Sequence, residues 1–146
     1  MGIGDIRKDV YEGRTMTLED VLELIERLNP NEATYYCGFL NAKEQRSLGI
    51  YQGMNIGRIE ALARAKDVAV KTVRLLIHWS DDSIETEQVA KDLHEALNGC
   101  GQVEMDGYVV DYLDLAYEEP VDVGQDAEGI FERVIEMTIY YRKKGE

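Results

Sequence analysis

Apolar and polar positions alternate most regularly between Gly107 and Lys143. In the run Ile130 to Tyr141, one set of alternate positions holds Phe131, Arg133, Ile135, Met137, Ile139 and Tyr141. The other set holds Ile130, Glu132, Val134, Glu136, Thr138 and Tyr140. A period of two predicts a strand with one buried face. Arg133 is the single break on the apolar side. The run Tyr108 to Tyr117 predicts the facing strand. Between them lies Glu118–Gly129, a polar connection that is long for a hairpin, and long connections in compact domains usually carry function.

Upstream, Leu18, Val21, Leu22, Ile25 and Leu28 recur at spacings of three and four, which predicts an amphipathic helix. Thr17 is its N-cap with Asp20 at N3, a capping-box variant, and Met16 and Val21 form the hydrophobic staple. Asn29-Pro30 ends it, because proline disfavours helical geometry in the residue before it. Tyr35–Leu40 reads as a short strand and Gln45–Tyr51 as its hairpin partner, joined by the polar turn Asn41–Glu44. Residues 53–67 are ambiguous: Arg58–Arg64 has helical propensity but is too short to stand alone, and a loop carrying a small strand fits as well. Lys71–Trp79 is a strand with Val73, Leu75, Ile77 and Trp79 on one face. Asp81-Asp82-Ser83 caps a second helix whose stripe is Val89, Ala90, Leu93, Ala96 and Leu97, and Gly99 ends it. Residues 100–106 lead into the terminal pair of strands. The predicted order places two principal helices on one face of a mainly antiparallel sheet, an α+β (α/β) fold. Residues 1–16 read as an N-terminal arm and 17–146 as one domain.

Composition narrows the function. The 146 residues suit one domain that buries enough surface to need no disulfide or metal staple. Twenty-nine acidic against 16 basic residues give a net charge of −13. Neither sequence-specific nucleic acid binding nor an anionic membrane surface fits that balance, since both require clustered lysine and arginine. No apolar run is long enough to span a bilayer. The first residues lack the apolar segment of a signal peptide, and Ile6 stands where myristoylation wants Ser or Thr. Cys37 and Cys100 form no CxxC pair, in keeping with a reducing compartment.

Candidate chemistry is sparse. His78 and His94 show no zinc-ligand spacing, and they read as an ordinary strand histidine and an exposed helix histidine. Asp122, Asp126 and Glu128 share a loop with Gly124 and Gly129, but the spacing is not that of a calcium loop, and a solvated turn accounts for it. Cys37 falls in an apolar, aromatic strand, and Cys100 has no cationic neighbour to activate it. No nucleophile elbow, phosphate loop or dinucleotide fingerprint is present. The residues therefore predict no catalytic, cofactor or metal site and no enzyme. Nine tyrosines are more telling. Tyr35/Tyr36 and Tyr140/Tyr141 each put one ring on each face of a strand. Packing within the chain explains one face, and either packing or a second chain explains the other.

Val73 to Lys143 resembles the minor capsid and tail-terminator proteins of long-tailed bacteriophages and prophages. The resemblance is carried by the strand Val73–Trp79 running into a polar cap and the helix Thr86–Leu97. A tyrosine-rich strand follows, then the loop Pro120–Gly129, then a strand ending Ile139-Tyr140-Tyr141-Arg142-Lys143. The helix Leu18–Leu28 and the strand Leu48–Tyr51 also sit where the family has them. The resemblance implies a structural virion protein with no cofactor, located at the head-proximal end of the tail and assembled in the host bacterial cytoplasm. It implies a hexameric ring of this chain, with the major tail tube protein and the head connector proteins as partners. A head-completion (connector) protein of the same particle is the alternative within the virion. A small ligand-binding regulatory α+β domain is the alternative outside it.

Two glycine-bearing irregular segments hold apolar residues with no element to bury them, and loops held out by a rigid sheet are where recognition resides. Met54, Ile56 and Arg58 in one, and Val121, Asp122, Val123 and Asp126 in the other, are the candidate subunit or tail-tube interface. Arg58 is placed to pair with an acid across the boundary.

Overall fold

The computed structural model describes residues 15–54 and 68–144. Its elements in chain order are α1 (Leu18–Leu28), β1 (Thr34–Cys37), β2 (Ser47–Gln52), β3 (Ala69–His78), α2 (Ser83–Asn98), β4 (Val103–Glu104), β5 (Tyr108–Leu115), β6 (Val121–Gln125) and β7 (Phe131–Lys143). All seven strands join one sheet in the order β1-β2-β3-β7-β5-β4, with β6 also paired to β7. Among the described residues, only β1 and β2 run parallel. Every other pairing is antiparallel. The fold is thus α+β with a mainly antiparallel sheet.

The alternation seen in the sequence is the burial pattern of the sheet. Val73, Leu75 and Ile77 of β3 and Ile135, Met137, Ile139 and Tyr141 of β7 are buried in one core. Trp79, Leu93 and Leu97 join them, while Leu115 is half-buried against that core. Both helices cover this face: α1 lies on β1 and β2, α2 on β3, β5 and β7, and the helices touch each other. Thr17 and Asp20 complete the reciprocal capping box. Met16, at the end of the sequence-defined arm, is fully buried, and its backbone N–H donates to the Tyr141 hydroxyl at 2.8 Å. The start of α1 is therefore fixed to the far end of β7. Asp82 caps α2 by accepting from the amides of Ile84 and Glu85.

Four local expectations change. First, β1 and β2 are parallel neighbours and not a hairpin, with Thr34 opposite Ser47 and Cys37 opposite Ile50. Gly38, at φ +80°, turns the chain out of β1. The Asn41–Glu44 turn then carries it back, and the Arg46 amide donates to the Trp79 carbonyl before β2 begins. Second, the Glu118–Gly129 connection is not all loop, because it contains β6. Third, β4 lies within the lead-in to β5. Fourth, Gly99 ends α2 with φ −103°, so it is not in the left-handed form expected of a glycine past a helix end. Residues 55–67 and 1–14 lie outside the described residues, and the reading of 53–67 as ambiguous falls largely among them.

β5 bulges between Val110 and Tyr112. The displaced Asp111 is taken by Arg142 of β7 in a two-pronged contact, Nη2 to Oδ1 at 2.7 Å and Nε to Oδ2 at 2.9 Å. Hydrogen bonds from Arg142 hold the Asp111 carboxyl below the usual carboxylate range; partial burial opposes them and Gln102 adds to them.

Two outcomes follow from this packing. Ile135 is 2% exposed, so Ile135→Ala should lower unfolding stability by about 2–5 kcal/mol in a denaturant melt. A change near zero would mean that the buried face is the other one. A carboxyl with a lowered folded pKa stabilises above its unfolded value of about 3.9, and the stabilisation is lost as pH falls through the folded value. Between about pH 5 and pH 2 the native chain should therefore lose stability more steeply than Asp111→Asn. Parallel acid curves would show that the Arg142 contact contributes nothing.

Candidate functional site

β7 is long enough to take two partners on one side. Its C-terminal part pairs with β5, from Tyr108 opposite Lys143 to Leu115 opposite Met137. Its N-terminal part pairs with β6, from Val121 opposite Val134 to Gln125 opposite Phe131. Among the described residues, no strand pairs with the other edge of β6. Such an edge is a template for pairing with another chain unless it is short, charged or bent.

β6 is short and bent, and it is apolar on its exposed side. Val121 and Val123 are 39% and 54% exposed. Register shifts between Asp122 and Gly124, and Gly124 takes φ +88°, so Val123 sits on a bulge. A residue with a Cβ would find space there but not a comfortable backbone angle. Asp122 is exposed. It accepts from the Gly124 amide at 2.9 Å and faces the Arg133 guanidinium at 3.7 Å. Arg133, the break in the apolar alternation, is thereby accounted for: it pairs with an acid on the neighbouring strand.

Asp126 is turned inward. Its Oδ1 accepts from the amides of Glu128 and Ile130, both at 2.9 Å, and its carbonyl accepts from the Gly129 amide. These bonds close the tight turn from β6 into β7. The Ile130 amide is the largest cause holding the Asp126 carboxyl low; burial opposes it, and the Glu128 amide, His78 and the Gly129 amide add smaller effects. Met54 stands 88% exposed at the end of β2. Ile56 and Arg58 lie outside the described residues; Val121, Asp122 and Val123 share the β6 edge, and Asp126 builds the turn behind it.

Both histidines differ from expectation. His94 is buried, because it follows Ala90 by one turn at the margin of the apolar stripe, and its Nε2 donates to the Tyr117 carbonyl at 2.9 Å. His78 is fully buried although it lies on the sheet face away from the helices. The segment 38–46 and the β6–β7 turn fold over it. Glu132, directly opposite it on β7, and Asp126 approach one ring nitrogen at 2.8 and 3.7 Å. The sequence hid this grouping because His78 lies far along the chain from the two carboxylates. Tyr51 lies close by, and burial and then the negative Glu132 push its hydroxyl pKa up.

The thiols are unactivated. Burial raises the pKa of Cys37, with Glu19 adding to it, and burial also raises Cys100. An open groove of about 540 Å³ near the end of α1 is lined by Glu26, Glu32, Tyr35 and Arg46 among others, with no histidine or cysteine. Among the described residues, no helix is long and apolar enough to cross a membrane.

Comparison with curated proteins gives no match. A family model described as bacteriophage tail terminator protein matches residues 1–143. That match takes in both helices and every strand of the sheet, and the chain belongs to the bacteriophage tail terminator family.

Proposed function

We propose that this structural tail protein closes the head-proximal end of the tail tube as a ring of identical subunits, six in number. The ring stops tube polymerisation and presents its opposite surface to the head connector proteins. Its partners are then its own copies, the major tail tube protein and the connector, and its place is the virion tail, reached after assembly in the host cytoplasm. The role is structural and requires no catalysis. The observation that carries the reading is the β6 edge, with Val121 and Val123 exposed beside an acid already balanced by Arg133. A contact between two different patches of identical subunits closes into a ring when its rotation closes. An unpaired strand edge with apolar side chains supplies one such patch. Met54, with Ile56 and Arg58 beyond the described residues, is the second candidate patch. A net charge of −13 per subunit keeps the channel wall from holding DNA, which passes without adhering.

The test is the double variant Val121→Lys, Val123→Lys. Both side chains are exposed, so unfolding stability should stay within roughly 0.5 kcal/mol. Ring formation, read by light scattering and electron microscopy, should be lost, and complemented phage should carry overlong tails. Normal rings and normal tails would sink the reading. Tails of correct length that fail to join heads would point instead to a connector role.

A further inference from the structure

His78, Glu132 and Asp126 offer three ligand atoms that all lie within 4.8 Å of one another. The ring of His78 is fully buried, while the Asp126 and Glu132 side chains are 18% and 20% exposed. The point where they converge is thus walled on the ring side and open to water on the carboxylate side. Each donor is held by something outside the group. Nε2 of His78 donates to the Ala42 carbonyl at 2.9 Å, which fixes the ring so that Nδ1 faces the two carboxylates. A hydrogen bond from the second ring nitrogen to a backbone carbonyl is the usual support of a metal-bound histidine. Oδ1 of Asp126 is taken by two backbone amides, which leaves Oδ2 toward the ring. Glu132 sits opposite His78 on a paired strand, so two of the donors ride on rigid elements.

We propose that His78 Nδ1, a Glu132 carboxylate oxygen and Asp126 Oδ2 bind one divalent transition-metal ion, with Zn²⁺ the best match and water completing its coordination. Bond lengths of about 2.0–2.2 Å to nitrogen and oxygen set donors of a tetrahedral zinc roughly 3.3–3.5 Å apart. The observed separations from Nδ1, 2.8 Å to Glu132 and 3.7 Å to Asp126, fall on either side of that value. Shifts of a few tenths of an ångström would bring both onto it. A mixed imidazole and carboxylate set with no thiolate suits zinc and its neighbours better than a soft metal or calcium. Nε2 stays on the Ala42 carbonyl, and the 2.8 Å contact between Nδ1 and Glu132 marks the place the ion would take. The bound ion ties β3, β7 and the β6–β7 turn at one point, a structural task. The inference rests on this geometry alone and stands or falls independently of the ring assembly.

The full-length protein, stripped with a chelator, is titrated with Zn²⁺ by calorimetry. One ion per chain should bind. Co²⁺ in its place should show visible d–d bands without the thiolate charge-transfer band that Cys37 or Cys100 would give. Affinity should fall at least about tenfold in Asp126→Asn and in Glu132→Gln, whose amides keep the local hydrogen bonds, and should hold in Cys100→Ser. Absence of binding at about 100 micromolar Zn²⁺ would overturn the proposal. So would binding that both amide variants retain. The cluster would then be an ionic hydrogen-bond network and nothing more.

Discussion

The ladder between β3 and β7 is the constraint on which the rest of this structure depends. All ten residues of β3 pair with β7 without a register shift, from Ala69 opposite Tyr141 to His78 opposite Glu132. That register decides which side chains face the helices. A slip of one residue would send Ile135, Met137, Ile139 and Tyr141 to the open face and bring Glu136 and Thr138 against the helices. The cost of that exchange is the whole core. The pairing also explains why β7 is the longest strand, at 13 residues. One side is filled by β3, and the other is shared by β5 and β6. The chain leaves β5 at Leu115 and rejoins β7 at Val121, and the carbonyl of Tyr117 on the way is held by buried His94. The edge at β6 is therefore a consequence of the length of β7 relative to β5.

A sheet covered by helices on one side leaves the other side to smaller devices. At the end of β3 two loops supply them. The segment 38–46 delivers the Ala42 carbonyl and the β6–β7 turn delivers Asp126, and together they bury a histidine on the face that faces away from the core. Burying a polar ring costs free energy unless its nitrogens are satisfied, and here both are. Gly49 takes part in the same corner. A Cβ there would meet the Tyr51 ring at 2.8 Å and Leu40 at 3.3 Å, so the absence of a side chain lets both lie across the strand. At the opposite end of the open face, Tyr112 and Tyr140 stack at 4.5 Å, neighbours across β5 and β7.

The sequence was readable where one local rule governs, and obscure where distant segments decide. The capping box of α1 and the faces of β3 and β7 follow from local rules, and the structure has them; the stripe of α1 holds at Val21 and Ile25, but it missed fully buried Leu24, and Leu18, Leu22 and Leu28 are only half-buried. The parallel placement of β1 and β2 does not follow from a short polar turn. It depends on Gly38 turning the chain out of the sheet and on Arg46 bonding to Trp79, which lies far along the chain. β6 was concealed because Val121-Asp122-Val123-Gly124 has too few residues to show a period, and its glycine, which sits on a bulge, suggests a turn in sequence. His78 looked ordinary because its burial depends on what folds over the strand, and spacing carries no trace of that; His94, one turn after Ala90 and three residues before Leu97, was marked by its spacing and passed over. Of the interface residues read from sequence, Val121, Asp122 and Val123 lie on an edge, whereas Asp126 builds the turn behind it.

Charge sets the terms on which such an edge acts. Subunits of −13 repel one another, but at physiological ionic strength that repulsion is screened beyond about 8 Å. Attraction between copies then has to come from short-range contacts, and it has to come from places where the acid surplus is locally relieved. β6 is such a place. Asp122 faces Arg133, the neighbouring valines carry no charge, and the bulge at Val123 lifts an apolar side chain clear of the strand. The pairing of Asp122 within its own subunit matters here, because an unpaired acid at a closing interface would add a desolvation cost to the repulsion. In the ring proposed above, the scattered acids discourage association, and the exposed valines of the β6 edge have to outweigh them. Specificity for one contact then comes as much from what the rest of the surface refuses as from what the edge attracts.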